Sequence, residues 1–274
     1  MSFNNTFLRI LVSAITIPLI IFISYTGGIL FFIFVMFISL ISYYEFTTFI
    51  KKIDISANFW VGFGGILFVL LNSKYHYLDT YSFVLLFMLI LSSSELFRKK
   101  GATIANIGST LMSVFYIGFF ASTIIGIREI YPHIGSLYER GGFIIICIFA
   151  TIWICDSAAF FGGTAFGKHK LFPRISPKKS WEGSIFGFLF AIGTMALAKV
   201  IILDFLSWET VIAIGFIIGV FGQIGDLIES LFKRSANVKD SSNLIPGHGG
   251  IFDRFDSLLF SAPIIFLYLT YFGK

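Results

Sequence analysis

From Ile10 onward the chain repeats one pattern, an apolar stretch followed by a short polar or charged break. A helix needs roughly 20 apolar residues to cross the ~30 Å hydrocarbon layer of a bilayer, and windows that reach or approach this length recur along the chain. The expected spans are nine, covering approximately 10–26, 27–50, 57–71, 78–97, 103–127, 142–161, 183–203, 208–232 and 256–272, the third being the shortest. The opening MSFNNTFLRI carries one Arg and no A-x-A cleavage site follows its long apolar run, so the first stretch is read as a retained span, not a signal peptide. The pattern predicts an all-α, polytopic integral membrane helix bundle. No repeat or low-complexity linker interrupts it, and residues 1–274 are expected to form a single membrane domain. Within it, amino-terminal helices occupy 1–140, and the helices and loops with candidate chemistry occupy 141–274.

Composition sharpens this picture. Of 274 residues, 57% are hydrophobic and 13% charged, and the mean hydropathy is +0.89. A soluble core of this size could not hide so much apolar surface, which makes lipid the solvent. Cys147 and Cys155 lie eight residues apart in one predicted helix. Their backbones are then ~12 Å apart, too far for a disulfide. The four histidines and two cysteines show no zinc-site spacing, which leaves oxygen ligands as the metal-binding set.

Nine spans also sort the charges. One side collects Arg9, Lys51, Lys52, Arg98, Lys99, Lys100, Lys168, Lys170, Arg174, Lys178, Lys179, Lys233, Arg234, Lys239 and Arg254; the other holds Lys74, Arg128, Arg140, Lys199 and Lys274. Excess Lys and Arg marks the cytoplasmic face, so the amino terminus is expected inside and the carboxyl terminus outside. Lys51, Lys52 and Arg98 to Lys100 suit simple anchoring to anionic lipid. Segments 162–182 and 233–255 differ, mixing basic residues with Gly, Ser, Pro and acids in a composition suited to binding polyanions. Acidic residues follow the same side. Glu45, Glu95, Asp156, Asp226 and Glu229 fall near the inner ends of spans two, four, six and eight, and Asp253 and Asp256 open span nine.

In GQIGDLIESLFKR, Asp226 and Glu229 are three residues apart and share a helix face, and ionisable residues within a membrane point to function. In IFDRFDSLL, Asp253 and Asp256 repeat that spacing at a helix start. Capping explains one such Asp. Two helix-borne acids together with Asp226 offer hard oxygen ligands suited to magnesium, with Arg254 between them to neutralise the pair or grip phosphate. The connecting KDSSNLIPGHGG supplies Lys239 and His248, and the pair Gly249 and Gly250 lets backbone N–H groups approach a phosphate. Upstream, GGTAFGKH resembles the phosphate-loop pattern, but His169 stands at the hydroxyl position and an apolar span precedes it, so the nucleotide-binding fold of that class is excluded. Lys168 can still serve a phosphate. SPKKSWEG adds Ser176, Lys178, Lys179 and a helix-starting Glu182.

Taken together, SLFKRSANVKDSSNLIPGHGGIFDRFD, from Ser230 to Asp256, resembles the signature of the CDP-diacylglycerol synthases, the phosphatidate cytidylyltransferases. DSAAFFGGTAFGKHK and SPKKSWEG also resemble that family, so the recognisable motifs cover about residues 156–256; Phe160 departs from the pattern, standing where Tyr is expected. The resemblance implies a nucleotidyltransferase of phospholipid biosynthesis that converts CTP and phosphatidate into CDP-diacylglycerol and pyrophosphate. It implies a magnesium requirement, potassium as a second cation, a homodimer, and a multi-pass protein of the cell inner membrane with its active site facing the cytoplasm. The metal-binding acids map onto Asp226, Asp253 and Asp256. Lys239 and Arg254 join them as catalytic candidates. Lys168, Ser176, Lys178, Lys179, Lys233, Arg234, His248, Gly249 and Gly250 are the substrate-binding candidates. The expected partners are CTP, phosphatidate and the bilayer, with no nucleic acid. Two alternatives remain open: a CTP-dependent enzyme acting on an isoprenoid lipid phosphate, and an ion-coupled transporter. Polar residues crowd the inner ends of late spans, not the midplane of two matching halves, which disfavours the transporter.

Overall fold

The computed structural model describes residues 3–99, 101–242, 244 and 249–273, with side chains from Ile10 onward. Among these residues nine helices are continuous. They are α1 (Phe3–Thr26), α2 (Gly28–Ile50), α3 (Phe59–Tyr75), α4 (Thr80–Glu95), α5 (Thr103–Arg128), α6 (Leu137–Phe166), α7 (Trp181–Ile201), α8 (Trp208–Ser235) and α9 (Phe252–Tyr271). By length and composition, α2, α5, α6, α7 and α8 can each cross a membrane, and Ile10–Thr26, α3 and α4 are shorter apolar helices. The molecule is an all-α polytopic membrane protein. One element departs from the expected pattern: where a polar loop was anticipated over 162–182, α6 continues to Phe166, and strands β1 (Lys170–Phe172) and β2 (Ser176–Ser180) then form an antiparallel hairpin.

In lipid the free N–H groups at a helix start cannot turn to water, so the sequence supplies acceptors. Asn58, Asp79, Ser180 and Ser207 cap α3, α4, α7 and α8, accepting from Val61, Ser82, Gly183 and Thr210 backbone N–H groups at 3.4, 3.0, 3.2 and 3.1 Å. At the end of α1 the converse problem is solved by a fully buried arginine. Arg128, the last residue of α5, donates from Nε to the Ser24 carbonyl (2.6 Å), from Nη2 to that of Tyr25 (2.7 Å) and from Nη1 to that of Tyr138 (3.1 Å). A cation there also complements the negative end of the helix dipole. The chain must reverse beside this guanidinium. Gly27 takes φ 66°, and a Cβ at Gly27 would overlap the Arg128 side chain.

Arg128 joins α1, α2, α5 and α6 at one end of the bundle, and the chain direction carries the candidate chemistry to the other. There the ends of α2, α6 and α8 meet the starts of α7 and α9. α7 lies close against α6 because Gly183 and Gly187 face it: a Cβ at Gly183 would come 2.6 Å from the Ala159 carbonyl oxygen, and one at Gly187 3.0 Å from that of Cys155. Both cysteines are buried and free, as expected from their spacing. Beneath the site, an aromatic floor locks four helices together. Phe49 stacks on Phe252 (6.5 Å between centroids), Phe46 meets Phe232 and Phe252 edge-on (6.1 and 6.4 Å), and Tyr116 meets Phe232 edge-on (5.5 Å). Tyr116 lies in a π-helical turn of α5 (Val114–Phe119), and a second such turn, Ile218–Gly222, precedes Asp226 in α8. Each inserts an extra residue and so resets which face the following side chains occupy.

Candidate active site

Two clusters of charge occupy this end, and they divide the acids that the sequence had grouped. The first gathers one carboxylate from each of three helices: Asp156 of α6, Asp226 of α8 and Asp256 of α9. Each of Asp156 and Asp256 feels the negative charge of Asp226, and Asp256 also feels that of Asp156. Asp256 is buried, with Oδ1 accepting the Ser257 N–H at 2.6 Å; the Asp226 side chain is 35% exposed, and Asp156 is exposed. The cluster is thus closed on one side and open on the other. Lys179 reaches in from β2, its Nζ 2.5 Å from Asp226 Oδ2, while the charge of the exposed Arg254 acts on Asp156.

The second cluster is built around Lys233. Its Nζ lies 2.5 Å from Glu229 Oε2, one helical turn earlier, and 2.6 Å from Asp253 Oδ1 on α9. The other oxygen of Asp253 accepts the Ser241 N–H (3.0 Å) and the Gly250 N–H (2.8 Å), with Ser241 Oγ at 2.9 Å. Glu45 of α2 adjoins it, its two oxygens accepting from Ser242 Oγ (2.5 Å), Ser241 Oγ (2.9 Å), and the Ile251 and Phe252 N–H groups (3.0 and 2.8 Å). Those two N–H groups open α9. A carboxylate at a helix start is favoured by both the free donors and the dipole.

The expected site residues fall in different surroundings. Asp253, expected beside Asp226 and Asp256 as a metal ligand, here accepts from Lys233 through one oxygen and from Ser241 and Gly250 through the other, which ties α8, α9 and the preceding loop together. Lys233, expected to meet substrate, is buried between two carboxylates. Arg234 is turned to the backbone, donating to the carbonyls of Ile175 and Val238 at 3.2 Å each, and so ties the hairpin to α8. The Gly250 N–H, expected to face phosphate, serves Asp253; Gly249 takes φ 81° at the same turn. Ser176 is half-buried in β2, whereas Lys168, Lys178 and Lys239 are exposed. His248 lies outside the described residues. Glu182 does start α7, and it also accepts the Lys168 and His169 N–H groups and contacts His169 Nδ1 at 2.6 Å, holding the hairpin base. Asp156 and Glu45 were visible from sequence only as acids near inner span ends. Nothing in the pattern named their partners.

Among the described residues no group of three or more His, Cys, Asp or Glu side chains could hold a metal ion. The repelling carboxylates of Asp226 and Asp256, with Asp156 beside them, nevertheless form a hard, anionic donor set that a cation would relieve. Such a set does not fit an all-protein cage. It fits an ion of the magnesium kind, which takes one or two carboxylates and completes its shell with water and substrate phosphate.

Fold and site together define a membrane-embedded helix bundle whose acidic and basic groups meet at one end. Comparison with known proteins makes this specific. Residues 7–272 match the sequence model of the cytidylyltransferase family, and the chain belongs to that family. It is similar to the phosphatidate cytidylyltransferase of Bacillus subtilis, 36% identical over 186 residues, which are 68% of this chain and 66% of the relative. The phosphatidate cytidylyltransferases of Staphylococcus aureus strain COL (38% over 177 residues, 64% of each chain) and of Synechocystis (36% over 199 residues, 64% of this chain and 66% of the relative) are alike. The chain thus matches just under two thirds of the length of these relatives.

Proposed function

We propose that this protein is a phosphatidate cytidylyltransferase: it transfers the cytidylyl group of CTP to phosphatidate, forming CDP-diacylglycerol and pyrophosphate. The observation that carries this reading is the cluster of Asp156, Asp226 and Asp256 with Lys179, set at one end of a membrane bundle belonging to the cytidylyltransferase family. A lipid phosphate and a soluble nucleotide must meet at a membrane boundary, and charges so placed suit that meeting.

Phosphatidate is a phosphomonoester whose second pKa, by analogy with phosphorylated side chains, is about 6, so it is largely dianionic at neutral pH and needs no strong base. One of its oxygens attacks the α-phosphorus of CTP; that P–O bond forms as the bond to the β-phosphate breaks, and pyrophosphate leaves. Repulsion between two polyanions is the obstacle. Asp226 holds Lys179 at the cluster, and the exposed Lys168, Lys178, Lys239 and Arg254 are the further cations that would receive phosphate oxygens. Asp226 and Asp256, with Asp156, would hold magnesium, which when bound screens the phosphates and stabilises the developing charge. Potassium is proposed as a second cation. Lys233, Glu229 and Asp253 position α9 against α8.

The basic asymmetry supports an orientation with this end in the cytoplasm, in the cell inner membrane, and we infer a homodimer in line with the family resemblance. The test is to supply purified protein with phosphatidate, magnesium and each nucleoside triphosphate in turn. CTP, and dCTP to some degree, should release pyrophosphate while ATP should not. Release with an isoprenoid monophosphate but not with phosphatidate would reassign the lipid, and ion movement across liposomes without pyrophosphate release would sink the enzyme reading.

A further inference from the structure

Glu45 lies outside every motif that suggested the function, in the amino-terminal half of the chain, yet its carboxylate is at the centre of a dense set of bonds to the loop before α9. It is 1% exposed and accepts from four donors that lie 196 to 207 residues away in sequence: Ser241 Oγ, Ser242 Oγ, and the Ile251 and Phe252 N–H groups. Two donors belong to the loop and two to the first turn of the helix that carries Asp253, Arg254 and Asp256. Ser241 Oγ stands 2.9 Å from both Glu45 Oε2 and Asp253 Oδ2; its one proton can serve a single carboxylate at a time, which links the two acids. Gly250 passes so close that a Cβ there would overlap Ser241 Oγ and come 2.5 Å from Glu45 Oε2. The contact is therefore built tightly, and the buried Phe46 and Phe49 of the same helix pack against Phe252 at the start of α9.

We propose that Glu45 is a positioning residue for the transfer reaction: it clamps Ser241, Ser242 and the start of α9 so that Asp256 and Arg254 face Asp226 and Asp156 in the reactive arrangement. This rests on the function proposed above. A carboxylate can accept from four donors at once, whereas an amide offers one oxygen and sets its NH2 against donors. Glu45→Gln therefore keeps volume while breaking half of the clamp. Because the reacting groups are aligned through it and not by direct contact, losing the clamp should lower turnover more than substrate binding.

Amide hydrogen exchange is measured by mass spectrometry on peptides spanning 241–256 in the detergent-purified full chain, alongside steady-state kinetics. In Glu45→Gln, exchange in that segment should rise while peptides of α1 and α7 stay as in wild type. Its kcat should fall about tenfold or more with KM for either substrate within about threefold, because alignment affects the transition state. Ser242→Ala, a milder change that removes one donor, should show the same pattern to a smaller degree, and it serves if Glu45→Gln does not fold. Glu45→Asp should restore neither fully, being one methylene short. Unchanged exchange in the 241–256 segment of both variants would overturn the clamp. Raised exchange with kcat within about twofold of wild type would overturn the positioning role. If wild type itself makes no product, the proposed function fails, and the exchange data still decide the clamp.

Discussion

Asp226, Asp253 and Asp256 look alike in the sequence but face different surroundings, and charge-neutral substitutions should separate them. Asp256 is buried beside two like charges and has one strong donor, so Asp256→Asn relieves repulsion: unfolding temperature without ligands should stay level or rise, while turnover falls about 100-fold or more as an electrostatic group is lost. Such a trade of stability for activity is common at functional sites. Asp226→Asn should be equally inactive and near neutral in stability, since its pairing with Lys179 is partly exposed and worth ~0–1 kcal/mol. Acting on one cluster, the double variant should be scarcely slower than either single one. Asp253→Asn should differ in kind, because it breaks a largely buried pair with Lys233 and leaves that ammonium facing Glu229 alone; a cost of about 3 kcal/mol and a clear drop in unfolding temperature are expected. Calorimetry or nanoscale fluorimetry of the three variants, next to initial rates, checks this. Equal stability losses for Asp253→Asn and Asp256→Asn would contradict the division into two clusters.

At the scale of elements, the apolar periodicity made the helices readable, because their length follows from bilayer thickness; side-chain caps fix the starts of α3, α4, α7 and α8. The hairpin of β1 and β2 was not readable, since three and five residues of mixed polarity carry no period long enough to set them apart from a loop. The grouping of acids was readable only in part. A spacing of three places Asp253 and Asp256 on one side of α9, but that side spans two neighbours, and only the packed bundle shows that Lys233 meets one Asp and Asp226 the other. Glu45 was out of reach for a related reason: nothing local in α2 signals donors some 200 residues away. The close contact of α6 and α7 yields a prediction of its own. Gly183→Val should prevent proper assembly, because a side chain would strike the Ala159 carbonyl, while Gly193→Ala on the same helix, where a Cβ meets nothing within 4 Å, should be neutral or stabilising by about 1 kcal/mol. Yield of monodisperse protein after size-exclusion chromatography reads both.

For the whole molecule, the two ends of the bundle are chemically opposite: one is closed by the Arg128 joint, the other opens on carboxylates and lysines. The orientation argued from basic residues predicts how each end meets an impermeant thiol reagent. In a background with Cys147→Ser and Cys155→Ser, the exposed positions Arg174→Cys and Asp240→Cys should be shielded in intact cells and labelled after permeabilisation, while Ser136→Cys should react from outside. The reverse pattern would invert the topology and place the site on the wrong side for a cytoplasmic nucleotide.

The central claim, that the acidic end of this bundle joins a nucleotide to a lipid phosphate, is tested most directly by following the phosphorus atoms of CTP. Purified protein in detergent–phosphatidate micelles with magnesium is given CTP labelled either at the α- or at the γ-phosphorus, and the lipid phase is extracted. Attack on the α-phosphorus predicts that α-label enters the lipid, that γ-label stays in the water phase as pyrophosphate, and that Asp256→Asn moves neither. Label from the γ position in the lipid, or no α-label in the lipid with well-folded protein, would contradict the account.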